Sequence, residues 1–222
     1  MKLVLLAGIF ALCLTLCCPP KPATPKRFYL WGGGEMPDHY RGEFIRMAGG
    51  KVVIIPLASS EPEKAVTPWL GRPNVVVYSS EEDLDDASGV WFSGGDQKRL
   101  VDALGPLKGK LKRMSESGVL MGGTSAGCSA MSDVMIYEDT ESVGFGMTDV
   151  VMDQHFDARD RLDRLKKLLD KHPGLSGLGV DEGGGILMVD DEVTVLKGGA
   201  TYCDKNGNVK KYNSGDRFSL TS

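Results

Sequence analysis

The chain has 222 residues, a formal net charge of −4 and five cysteines. Nothing in an acidic balance of this size points to nucleic acid or to an anionic membrane surface. Only Cys128 and Cys203 lie beyond the N-terminal segment, which is too few for a disulfide framework.

In chain order, Met1-Lys2 and the apolar run Leu3 to Leu16 predict a signal peptide over residues 1–18. Cys17 follows the apolar core at once, the arrangement of a lipoprotein signal with an acylated cysteine. The expectation is an exported chain, periplasmic, extracellular or anchored to a membrane through a lipidated Cys17. Residues 19–26 read as a proline-rich linker. The remaining 27–222, about 200 residues, suit a single domain with a substantial core. Phe28–Trp31, Val52–Pro56, Val75–Tyr78, Val90–Ser93 and Val119–Met121 are short, almost continuously apolar runs, as expected of strands covered on both faces of a parallel sheet. Helices are predicted between them at Asp38–Ala48, Glu61–Leu70, Gln97–Leu104 and Leu107–Ser117. This alternation argues for an α/β domain with a doubly wound, mostly parallel sheet. Farther on, Val134–Tyr137 reads as a strand and Asp157–Lys171 as a charged amphipathic helix with Leu162, Leu165, Leu168 and Leu169 inward. The tail from Ile186 is β-rich, with strands at Val193–Leu196 and Val209–Tyr212 and a hairpin signal at Asn206-Gly207.

Gly123-Thr-Ser125-Ala-Gly127 is a G-x-S-x-G sequence between an apolar run and a stretch of small residues, the strand–turn–helix setting of a nucleophile elbow. A serine hydroxyl is a poor nucleophile unless a base takes its proton and an acid orients the base. Three histidines are available. His39 reads as an exposed helix residue and His172 as a complement to a helix C-terminus. His155 follows an apolar stretch and precedes a helix, where a doubly wound fold places its active-site loops, and is the favoured base. The acid is Asp181 or Glu182, adjacent carboxylates at the end of an apolar run, and spacing does not separate them. Ser93-Gly94-Gly95-Asp96-Gln97 also follows a strand. Its bare backbone could join the N–H of Ala126 in an oxyanion hole. Gly32-Gly33-Gly34 lacks the order of a dinucleotide site. Arg159, Arg161 and Arg164 suit carboxylate recognition, or a solvated helix paired with Asp157, Asp160 and Asp163. Cys128 reads as a small buried hydrophobe. With no H-E-x-x-H and scattered histidines, neither metal nor cofactor is expected.

Four segments together resemble the cyanophycinase/dipeptidase E family of serine peptidases: Gly94-Gly95-Asp96-Gln97, Gly123 to Gly127, Asp153-Gln154-His155-Phe156 with Arg159, Arg161 and Arg164, and Gly179-Val-Asp181-Glu182. The resemblance implies a class I glutamine-amidotransferase-like topology. It further implies Ser125 as nucleophile, His155 as base and Glu182 as the acid. The G-G-D-Q and D-Q-H-F forms are closer to the cyanophycinase branch, which implies a substrate pocket lined by Gln97, Asp153, Gln154, Arg159, Arg161 and Arg164. Cyanophycinases release β-Asp-Arg dipeptides from a polymer with a polyaspartate backbone. The implied partner is therefore a peptide or cyanophycin-like polymer, while a homodimer is left open. An α-aspartyl exopeptidase of the dipeptidase E type and a non-catalytic surface lipoprotein that binds acidic peptides are the alternatives.

Overall fold

The computed structural model describes residues 24–221. The expected signal segment, Cys17 and most of the proline-rich linker lie outside the described residues. Among those described, no helix is long and apolar enough to cross a membrane.

The first half alternates as its apolar runs require: β1 (Arg27–Trp31), α1 (Asp38–Ala48), β2 (Lys51–Ile55), α2 (Pro62–Val66), β3 (Val75–Val77), β4 (Ala87–Phe92), α3 (Gln97–Leu104), α4 (Lys108–Glu116), β5 (Leu120–Thr124) and α5 (Ala126–Ser129). The expected helix over Glu61–Leu70 is shorter. It passes into a 3₁₀ turn at Thr67–Trp69, where Pro68 supplies no N–H. The second half adds the hairpin β6 (Val134–Tyr137) and β7 (Thr140–Val143), then β8 (Val151–Gln154), α6 (Leu162–Leu169), β9 (Gly177–Val180), β10 (Gly185–Val189), β11 (Glu192–Lys197), β12 (Gly199–Cys203), β13 (Val209–Asn213) and β14 (Arg217–Ser219).

The large sheet runs β14-β11-β10-β1-β5-β4-β2-β3. Strands β1 to β5 are mutually parallel, whereas β10, β11 and β14 extend the sheet antiparallel. Alternate residues of one strand enter different cores, as the two-residue repeat demands. Phe28 and Leu30 join Val53, Ile55, Phe92, Leu100, Leu111 and Met121 on the α3–α5 side. Tyr29 and Trp31 join Phe44, Val52, Ile54, Trp69 and Trp91 on the α1–α2 side. Each large side chain so buried contributes roughly 1.5–3 kcal/mol, which explains why these strands read as unbroken apolar runs. Cys128 is fully buried and its thiol pKa is pushed up by that burial, in keeping with a core role. A second sheet, β13-β12-β9-β8, carries α6 on a smaller apolar cluster of Val151, Phe156, Leu165 and Leu168. The hairpin signal at Asn206-Gly207 lies between β12 and β13, with Asp204 Oδ1 accepting from the N–H groups of Asn206 and Asn208.

A larger departure from expectation lies after β8, itself a strand that the sequence did not announce. Residues 157–171 are not a single helix. The chain turns through Asp160 at φ 47°, and α6 begins only at Leu162. The turn is fixed by Arg159 N–H donating to His155 O at 3.1 Å and Arg161 N–H donating to Phe156 O at 3.0 Å.

Candidate active site

The C-terminal ends of parallel strands share one edge of such a sheet, and loops there carry function. Ser125 follows β5 with φ 51° and ψ −114°, a backbone state costing about 1–3 kcal/mol. The two flanking glycines are forced by space. A Cβ on Gly123 would lie 2.6 Å from the Gly127 carbonyl carbon, and one on Gly127 would lie 2.7 Å from that of Phe92. The strained turn is held by Ser125 N–H donating to Trp31 O at 2.9 Å and by Cys128 N–H donating to Ser125 O at 2.9 Å.

His155 is also left-handed, at φ 50°, just past β8. Its Nε2 lies 2.9 Å from Ser125 Oγ, and its Nδ1 lies 2.6 Å from Glu182 Oε2. A neutral ring with its proton on Nδ1 donates to Glu182 and accepts from the serine hydroxyl. Burial lowers the His155 pKa, opposed by its hydrogen bond to Glu182, while Arg159 and Arg161 lower it further. The imidazole is thus kept neutral and able to take a proton near pH 7. The hydrogen bond from His155 holds Glu182 below the usual carboxylate range. Of the adjacent carboxylates, Glu182 meets the histidine. Asp181 turns away to accept from Asp157 N–H at 3.3 Å, and burial raises its pKa.

Gly32-Gly33-Gly34 proves to be the seat of this arrangement. Gly32 O accepts from His155 N–H at 2.6 Å, and Gly33 O accepts from Gly183 N–H at 2.8 Å. The imidazole lies directly over Gly33, whose φ of +111° no side chain readily adopts, and the Glu182 stem lies over Gly34. Sequence alone left these glycines without a role, because the groups they accommodate come from more than 120 positions away.

Gly94 packs against the nucleophile, where a Cβ would approach Ser125 Cβ to 3.3 Å. Gly95 (φ +137°) lies against Ala58 O. Asp96 caps α3 by accepting from Arg99 N–H at 3.0 Å, and the same bond holds its pKa down. No described residue accepts a hydrogen bond from the N–H of Gly94, Gly95 or Ala126. These three expected oxyanion donors are therefore open. Gln97 is buried and donates from Nε2 to Ile136 O at 2.8 Å. Gln154 is buried, with its Oε1 unpartnered among the described residues.

The three arginines divide. Asp153 is 1% exposed and lies beneath two of them. Its carboxylate accepts from Arg161 Nη1 at 3.2 Å, from Arg164 Nε at 2.8 Å and from Arg164 Nη2. Arg161 also donates to Gln154 O at 2.6 Å, and Arg164 to Glu138 O at 2.9 Å. Asp153 thus does not line a pocket as expected. Burial removes it from solvent, and its chemistry is to fix the α6 start against β8. Neither arginine pairs with Asp157, Asp160 or Asp163, the partners expected of a solvated helix, and Asp157 instead meets Lys211 at 3.0 Å. Arg159 alone of the three is exposed, and it makes no ion pair among the described residues. His39 is exposed on α1, as its sequence setting suggests. His172 lies beyond α6 with Nε2 3.0 Å from Glu141 Oε2. Among the described residues, no group of three or more His, Cys, Asp or Glu side chains is placed to hold a metal ion.

Residues 76–196 match the model of peptidase family S51. A cyanophycinase of Geminocystis herdmanii (strain PCC 6308) is 28% identical over 219 residues, covering 82% of this chain and 80% of that protein. A cyanophycinase of Synechococcus elongatus is 30% identical over 191 residues, covering 68% of this chain, and the chain spans 59% of that protein's length. The fold matches a peptidase from an acI-B1 Actinobacterium with a TM-score of 0.69 at 23% identity, covering 89% of this chain and 98% of that one. It also matches a protein described as a peptidase E from Listeria monocytogenes EGD-e, with a TM-score of 0.58 at 16% identity, covering 78% of this chain and 98% of that one. With more than half of its length matched by the family model and cyanophycinases among its relatives, the chain belongs to peptidase family S51.

Proposed function

We propose that the protein is a serine peptidase acting on aspartate-containing peptides of the cyanophycin type, with Ser125 as nucleophile, His155 as general base and Glu182 as its orienting acid. The observation that carries this reading is the continuous hydrogen-bonded line from Ser125 Oγ through both ring nitrogens of His155 to Glu182. Ser125 Oγ attacks the scissile carbonyl as its proton passes to His155 Nε2, and the tetrahedral oxyanion meets the open N–H groups of Ala126 and the Gly94–Gly95 turn. Collapse of this intermediate breaks the C–N bond, with His155 returning the proton to the leaving amine. Water, deprotonated by the same ring, then attacks the acyl-enzyme and frees Ser125.

The aspartyl preference is supported by the cyanophycinase relatives and by Arg159, an exposed cation in the turn that follows His155. Arg161 and Arg164 contribute by holding that turn. The test is Ser125→Ala, which should lower hydrolysis of β-Asp-Arg polymer or aspartyl peptides by about 10⁴–10⁶-fold and abolish labelling by a fluorophosphonate. Undiminished hydrolysis by this variant ends the proposal. A substrate panel of cyanophycin, β-Asp dipeptides and N-terminal-Asp peptides distinguishes the cyanophycinase from the exopeptidase activity. Export and lipidation at Cys17 are proposed from the apolar run Leu3 to Leu16 and the cysteine after it. Cell fractionation and metabolic labelling with a palmitate analogue, lost in Cys17→Ser, test both.

A further inference from the structure

A cavity of about 200 Å³ opens beside the nucleophile turn. Gly34, Gly94 and Thr124 form the wall it shares with the Ser125–His155–Glu182 line, and Arg41, Ser93, Trp69 and Trp91 form the rest. Ligand sites for whole drug-sized molecules run to about 300–1,000 Å³, so this space suits one side chain or one chain terminus.

Two of its polar groups lack adequate partners. Ser93 is 4% exposed, and its Oγ has no hydrogen-bond partner among the described residues. Buried polar groups are nearly always paired, and an exception calls for a reason. The Arg41 side chain is 17% exposed, and among the described residues its one ion pair within 4 Å is with Asp38, at 3.7 Å. That carboxylate is already engaged by Arg72. Burial lowers the Arg41 pKa. A guanidinium brings five donors in a planar fork matched to a carboxylate, and here most are unfilled. Lys64 is a further cation at the rim, exposed and paired with Glu61 at 2.5 Å. Glu35, also exposed at the rim, acts on Arg41 through its charge but forms no ion pair with it within 4 Å. The indoles of Trp69 and Trp91, 5.0 Å between centroids and tilted by 47°, form an apolar wall next to these donors.

We infer that this cavity is a substrate subsite for a carboxylate on a short apolar stem, held by Arg41 and Ser93 beside Ser125. The inference rests on the peptidase reading for its place beside the scissile bond. It means that an acidic substrate meets two cations near the nucleophile, Arg159 in solvent and Arg41 in a pocket.

The test is ligand binding to full-length Ser125→Ala protein, read by indole fluorescence and by calorimetry. N-acetyl-aspartate α-amide presents only a side-chain carboxylate, N-acetyl-glycine only a terminal one, and N-acetyl-asparagine amide presents none. At least one acid should bind and the neutral amide should not. Arg41→Gln should weaken the acid at least tenfold, Arg41→Lys should restore part of the loss, and Ser93→Ala should weaken it a few-fold. Whichever acid binds more tightly identifies the source of the carboxylate. In the unmutated chain the same acid should slow fluorophosphonate labelling of Ser125. The subsite is overturned if Arg41→Gln, shown folded by circular dichroism, binds the acids unchanged, if the neutral amide binds equally well, or if bound acid leaves labelling untouched. Arg41-dependent binding with no labelling of Ser125 under any condition would uphold the carboxylate pocket and instead remove the peptidase role of Ser125.

Discussion

Gly33→Ala is the substitution that most directly tests how the site is built. Its added Cβ would lie no farther than 2.7 Å from Cε1, Nε2 and Nδ1 of His155, where ordinary contact begins at 3.4 Å. All three of these nearest atoms belong to the His155 ring, so the imidazole itself must retreat, by roughly 1 Å. It cannot do so while keeping both its 2.9 Å approach to Ser125 and its 2.6 Å bond to Glu182. A misplacement of about 1 Å costs on the order of 10²-fold in rate, equivalent to about 2.7 kcal/mol of barrier. The φ of +111° adds a stability cost of about 1–3 kcal/mol. The control is Gly49→Ala at the end of α1, with φ +73° and nothing within 4 Å of the new Cβ. It should lose about 1–2 kcal/mol of stability and no activity. Hydrolysis rate and fluorophosphonate labelling report the site, and thermal melts report the fold. A folded Gly33→Ala protein with unaltered turnover would refute the claim that this glycine is bare to admit the ring.

Because burial lowers the His155 pKa and the ring must be neutral to act, kcat/KM should be level near pH 7 and fall on the acid side. Its inflection should lie below 6.5, the ordinary histidine value, and an inflection above that value contradicts the environment described. Asp153→Asn leaves Arg161 and Arg164 without their carboxylate, with side chains only 10% and 19% exposed. Removing one partner of such a buried cluster should cost about 3 kcal/mol, which at about 2–4 °C per kcal/mol for a domain of this size lowers Tm by roughly 6–12 °C. Unchanged urea and thermal melts would show the cluster to be structurally idle. Arg159→Gln should change stability by less than about 0.5 kcal/mol while raising KM for aspartyl substrates with kcat retained. Equal loss on neutral peptides would deny Arg159 a charge-reading role.

The central strands were legible because burial on both faces leaves no polar positions, so Val52 to Ile55 and Val90 to Phe92 announce themselves. Strand β8 escaped notice for the opposite reason. Asp153 and Gln154 are half of it, and their burial is made tolerable by arginines that sequence distance hides. The same arginines made 157–171 read as one solvated helix, since charge spacing fits a helix whether its partners are local or not. The elbow was legible because the Gly-x-Ser-x-Gly spacing is itself a signal, although only Gly123 answers a local clash, with Gly127, while Gly127 meets Phe92 of β4. The Gly32–Gly34 run was not, because what presses on it arrives from elsewhere in the chain. Arg41 had no signal at all: an arginine in the first helix looks like any surface charge until its carboxylate is seen to be occupied by Arg72.

Trp31, Gly32 and Gly33 present three successive carbonyls, to the N–H groups of Ser125, His155 and Gly183 respectively. The three segments that bring nucleophile, base and acid together are therefore gauged by three consecutive residues at the end of β1 and the turn after it, and not by the length of chain between them. The hairpin β6–β7 and helix α6, which fill those intervals, hang outside the gauge. Such a molecule can be shortened, lengthened or redecorated between its fixed points while the distances at the centre stay put. Its selectivity is free to drift on one timescale and its chemistry is held on another.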